Sequence, residues 1–182
     1  YIGDVGDNLE LRPSRAIYRV REPAVSAKSA AVTAEWLQFR YEDRPHDVES
    51  MVVSGDGAIH LVTKGRRGGV LLFRIAPDAW SGGTAVAVRT DSLHLTVPTG
   101  DDRITDAALA PDGSLAIRSG RTLYLFRMDV QSGRLMSPRP DRACDLSPAS
   151  EPQGEGVAWM SSGSWMLTSE KKGAPITRVS CR

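Results

Sequence analysis

The chain is poor in the residues and patterns that mark common active sites. It has three histidines, two cysteines and a single asparagine, Asn8, in 182 residues. His46, His60 and His94 lack the paired spacing of a zinc site. There is no Gly-x-Ser-x-Gly elbow and no phosphate-cradling Gly-x-x-x-x-Gly-Lys run. No apolar run approaches the roughly 20 residues of a spanning helix, which excludes a transmembrane helix. Formal net charge is +1 with the signs well mixed, which excludes a nucleic-acid groove and a polybasic membrane patch. No window of a dozen residues keeps a 3.6-residue apolar period, so long helices are not expected. A signal-peptide pattern is also missing. The first residue, Tyr1, falls inside a motif, and the expectation is a processed or truncated chain.

What is present is a unit recurring about every fifty residues, the kind of period that marks a repeat architecture. An acidic residue opens an apolar strand, a Gly turn follows, and a second strand ends in Thr or Ser. It runs from Glu49 through Gly57 to Thr63, from Asp106 through Gly113 to Ser119, and from Glu155 through Gly163 to Ser169. Strand signals fill the intervals. Ala58–Thr63, Val70–Arg74 and Thr84–Arg89 are short, rich in β-branched and aliphatic residues, and bounded by Gly or Pro. Gly pairs at 68–69 and 82–83 mark turns. Residues 24–35 read as a connector into a strand at Trp36–Tyr41.

Four short strands per repeat define a propeller blade. The expected fold is therefore all-β, a β-propeller, with 1–182 a single domain of units 1–44, 45–100, 101–148 and 149–182. The two middle units carry all four strands. The first lacks an innermost strand and the last an outermost one, about fourteen strands in all. A ring closes when strands from opposite chain ends share a blade. The open ends point to an incomplete five-bladed ring lacking an N-terminal blade; four- and six-bladed rings are the alternatives.

Innermost strands of a propeller run side by side around a channel, so a residue repeated on each would meet its counterparts there. Glu49, Asp106 and Glu155 are the candidates. Converging carboxylates raise one another's pKa unless a cation neutralises them, and hard oxygen ligands suit Ca²⁺. The structural alternative is that each acid caps backbone N–H groups or pairs with a base, with Lys64, Arg118, Lys171 and Lys172 following the second strands as partners. Asp4 and Asp7, in Tyr1-Ile-Gly-Asp-Val-Gly-Asp-Asn8, form either a rigid Asx turn or further ligands. His46, close before Glu49, is a general-base candidate or a solvated loop residue. His60 is expected to pack against a neighbouring unit, Trp159 and Trp165 to fill the core, and Trp36 and Trp80 to lie at the surface. Cys144 and Cys181 suit a disulfide fastening the last unit to its neighbour; two separate buried thiols are the other reading.

The runs Tyr1–Asn8, Ile17–Pro23, Asp47–Met51, Leu61–Lys64 and Gln153–Trp159 resemble bacterial secreted β-propeller proteins of unassigned function. Gly154–Trp159 is similar, more distantly, to the strand openings of gluconolactonase-like and phytase-like propellers. That second resemblance implies a Ca²⁺ or other divalent ion held by Glu49, Asp106 and Glu155, and hydrolysis of an ester, lactone or phosphoester. The first implies an extracytoplasmic location, and a regular scaffold without a recognisable nucleophile or base pair reads as a non-catalytic module that binds a small molecule, glycan or protein at its channel face. The two readings stand as alternatives, since a fold alone does not fix chemistry.

Overall fold

The computed structural model describes every residue except 27, 28, 30, 67, 68, 96–101, 162 and 182. Fourteen strands account for nearly all regular structure among the described residues, with two short 3₁₀ turns at Pro77–Ser81 and Ser147–Ala149. The first antiparallel set is β1 (Ile2–Asp4), β2 (Arg15–Val20) and β3 (Ala34–Tyr41). The second is β4 (Val48–Val53), β5 (Ile59–Thr63), β6 (Val70–Ile75) and β7 (Thr84–Leu93). A third contains β8 (Ile104–Leu109), β9 (Ser114–Ser119), β10 (Thr122–Arg127) and β11 (Arg142–Asp145). The fourth is β12 (Gly154–Met160), β13 (Ser164–Ser169) and β14 (Thr177–Val179).

Residue chemistry explains these placements. β4 alternates buried and half-buried positions, as a strand with one fully covered face does. β5 is buried at all five positions and is correspondingly apolar except at His60 and Thr63. The three repeated hairpins turn at Gly57, Gly113 and Gly163, with φ of 86°, 84° and 67°. That left-handed region is where glycine is favoured, which is why the same residue recurs there.

The sets stack through three apolar clusters. Ile17, Leu37, Phe39 and Tyr41 pack on Ile59, Leu61, Phe73 and Ile75. Val62 and Leu72 pack with Ile104, Leu115 and Phe126. Ala116 and Leu123 pack with Val157, Trp165 and Leu167. β8 lies beside β4 on one side and β12 on the other. The first two sets also join at their outer strands: β3 pairs in parallel with Thr84–Ala87 of β7, giving one seven-stranded sheet. The remainder of β7 pairs with β6 through a register shift at Leu72/Phe73. A bulge of this kind bends a strand and lets its two halves serve different neighbours.

The strands expected from the sequence all occur. β3 begins two residues inside the expected connector, and β7 continues unbroken to Leu93. The expected turn at Gly68 falls outside the described residues. Cys144 and Cys181 are disulfide-bonded, with Cα atoms 5.9 Å apart, tying β11 to the segment after β14.

Candidate functional site

The beginnings of β4, β8 and β12 share a local distortion. The pairing of β4 with β5 skips Glu49, that of β8 with β9 skips Thr105, and that of β12 with β13 skips Glu155. Each skipped residue is a β-bulge, a device that re-aims one side chain at the start of a strand. This corrects the sequence alignment by one position. Thr105, not Asp106, is the counterpart of Glu49 and Glu155, and Asp106 corresponds to Ser50 and Gly156. The turn glycines give the same count, since Gly57, Gly113 and Gly163 each lie eight residues after Glu49, Thr105 and Glu155.

The acids near these bulges are held by the chain itself. Glu49 pairs with Lys64 at 2.5 Å, the structural alternative foreseen for it. Asp106 is half-buried, and its Oδ2 accepts the Val157 N–H at 2.8 Å, linking β8 to β12. Burial raises its pKa against the pull of the Val157 and Ala107 N–H groups and Arg118, and the nearby Glu155 carboxylate adds to the rise. Glu155 accepts from Gln153 Nε2 at 3.0 Å, and the same amide reaches Glu170. Asp106 and Glu155 thus share one neighbourhood, while Glu49 faces its own lysine.

Asp4 and Asp7 belong to an arginine cluster. Arg12 grips both oxygens of Asp4, at 2.8 and 2.7 Å, and holds its carboxyl below the usual range. Asp7 accepts the Arg12 N–H at 2.8 Å and pairs with buried Arg15. These contacts lower its pKa although burial opposes them. The Asp7 N–H donates to Asp47 Oδ1 at 2.9 Å, and Asp47 in turn holds Arg66. Across the molecule, Arg118 is fully buried. It reaches from β9 to the Gly156 carbonyl at 2.8 Å and pairs with Glu151 at 2.6 Å. Gly154 leaves the space that its guanidinium occupies.

Among the described residues, no three His, Cys, Asp or Glu side chains come together to hold a metal ion. The expected ligands also have other partners: Lys64 on Glu49, Arg12 on Asp4, Arg15 on Asp7 and the Val157 N–H on Asp106. The residues as placed do not fit a Ca²⁺ cage. His46 is neither solvated nor poised on Glu49. It is 2 % exposed, stacks edge-on against Tyr41 and near Phe73, and its Nε2 meets Asp43 at 2.9 Å. Trp165 is buried as expected, whereas Trp159 is 39 % exposed.

Sequence reasoning missed Ser50 and Thr105. Ser50 Oγ and Thr105 Oγ1 are buried without a hydrogen-bond partner among the described residues, on the adjacent strands β4 and β8. It also missed Arg15, Asp47 and Glu151. The signal available for them was the Asp-Val-Glu-Ser run beginning at Asp47 and the closely spaced glycines Gly154 and Gly156, of which Gly154 faces Arg118.

Comparison with protein families gives no match, and comparison with curated proteins gives none. One solved structure of similar shape is PorZ, an essential bacterial surface component of the type-IX secretion system of Porphyromonas gingivalis. It has a TM-score of 0.43 and 13 % identity over 90 % of this chain and 24 % of that one. This chain therefore spans about a quarter of PorZ, and a likeness at that level defines no family.

Proposed function

We propose that the chain is a β-propeller segment acting as an extracytoplasmic binding or scaffold module. Its ligand or partner meets the end where β4, β8 and β12 begin. Each antiparallel set is one blade in this reading, and the adjacency of β4, β8 and β12 is the adjacency of innermost strands. A five-bladed ring requires one further blade, an inner strand beside β1 and an outer strand beside β14. The disulfide supports an oxidising compartment outside the cytoplasm.

The observation that carries the proposal is that Ser50 Oγ and Thr105 Oγ1, each next to a repeated bulge, are buried without a hydrogen-bond partner among the described residues. Buried polar atoms are nearly always hydrogen-bonded, so hydroxyls left in this state on neighbouring strands favour a bound polar group. The hydrolase alternative requires Glu49, Asp106 and Glu155 to release their present partners for one ion, and no described geometry favours it.

A panel of esters, lactones and phosphoesters, assayed with and without Ca²⁺, should show no turnover, and Ca²⁺ should leave the melting temperature unchanged. In a parallel screen against glycan and small-metabolite arrays, a retained ligand should be lost in Thr105→Val. Calcium-dependent turnover abolished by Glu155→Gln would establish the hydrolase instead.

A further inference from the structure

A second feature lies at the same end, over the β5–β6 hairpin. A cleft of about 90 Å³ is lined by Arg44 and Arg66, with Glu10, His46, Thr63 and Gly69 among its walls. Among the described residues Arg44 uses only Nη1, on Glu10 at 2.7 Å and the Pro45 carbonyl at 3.0 Å. Arg66 is fixed from behind: Nε donates to Asp47 and Nη2 to Asn8. Nε and Nη2 of Arg44 and Nη1 of Arg66 have no acceptor among the described residues. Thr63 Oγ1 accepts the Leu71 N–H at 2.9 Å, which leaves its hydroxyl proton to donate. The described wall thus offers two guanidinium groups and a hydroxyl donor; one carboxylate, Glu10, lines it and faces Arg44, and Asp47 lies behind Arg66.

We propose that this cleft is an oxyanion-binding site for a phosphate, sulfate or carboxylate group, an assignment that rests on reading this end of the molecule as the binding face. Guanidinium forks match the geometry of such anions, and their charge-assisted hydrogen bonds are about twice as strong as neutral ones. The cleft has room for a tetrahedral or planar oxyanion group. Because Asp47 and Asn8 hold Arg66 in place, less side-chain freedom is lost on binding.

Gly69 supplies a clean probe. A Cβ added there meets nothing within 4 Å, and its backbone is not in the left-handed region. Gly69→Asp therefore places a negative charge on the cleft without disturbing the fold, and Gly69→Ala is its control. Calorimetric titration of the intact chain with inorganic phosphate, sulfate and acetate, at ionic strength matched with chloride, reads the site. Saturable binding of any of these anions is expected, and competition among the three identifies the group preferred. Arg44→Gln should weaken binding about tenfold, Gly69→Asp should abolish it, and Gly69→Ala should leave it intact. No saturation by any of the three anions, or equal binding by Gly69→Asp and wild type, overturns the site. That failure leaves the calcium, ester and array results unchanged, so the two proposals fall separately.

Discussion

At the residue scale, His60 shows how a side chain acquires its chemistry from distant parts of the chain. It lies fully buried on β5, between Val52 and Arg74 on the flanking strands and against the turn at Gly133 that follows β10. Its Nε2 lies 3.0 Å from Ser54 Oγ, whose own proton goes to Asp56 at 2.5 Å. Burial, then Arg74, pushes its pKa down to about 4, with Asp56 opposing. The unfolded chain therefore takes up a proton near pH 6.5 that the folded chain refuses until about pH 4. The stabilisation is complete above 6.5 and is lost as pH falls through that window, by up to about 3 kcal/mol. Urea midpoints measured from pH 7 to 4 should fall for wild type, and His60→Gln should flatten the decline. An unchanged slope in the variant would exclude His60 as its source. The sequence placed His60 in a strand facing a neighbouring unit. The Ser54–Asp56 turn is the neighbouring β4–β5 hairpin, whereas the Gly133 turn that packs against the imidazole comes from the third set of strands.

At the element scale, the sets are joined by buried arginines as well as by apolar faces. Arg118 on β9 bonds to the backbone of the β12–β13 pair and to Glu151, with neither side chain appreciably exposed. Removing one member of such a pair leaves a buried charge uncompensated, so Arg118→Ala should cost roughly 3–5 kcal/mol. Adding Glu151→Gln should return part of that loss, because the stranded charge is then gone. Thermal melts of the single and double variants measure both effects, and strictly additive losses would show that the pair is not coupled. The strands themselves were legible, since alternation, β-branched residues and Gly turns are local signals. The bulges were not. Each falls at the second residue of its strand, with too few positions before it for the alternation to show a change of phase; only the eight-residue spacing to the turn glycine marks it, and alignment on acidic character puts Asp106 where Thr105 belongs.

At the scale of the whole molecule, two links go beyond stacking. The parallel β3–β7 pairing merges the first two sets at their outer strands, and the Cys144–Cys181 bond ties the third set to the end of the fourth across 37 residues. Closing a loop of that length stabilises a fold by about 3–4 kcal/mol in the chain-entropy account. The Cys144→Ser/Cys181→Ser double variant should therefore melt at lower temperature, under oxidising conditions, than wild type. Reductant should lower the wild-type midpoint to the same value and leave the variant unmoved. A wild-type midpoint insensitive to reductant would show that the bond does not bear on global stability.

The sequence by itself determined the all-β class, the fourteen strands, the turn glycines and which two cysteines were at hand to bond, because each rests on neighbours a few residues apart. Only the tertiary structure decided the bulges that open β4, β8 and β12, the parallel join of β3 to β7, the burial of His46 and the pairing of the acids with Lys64, Arg12, Arg15 and Arg118. Those outcomes depend on which strand edges and charges meet across tens of residues, and a carboxylate brought close to a guanidinium binds it whatever its position in the repeat.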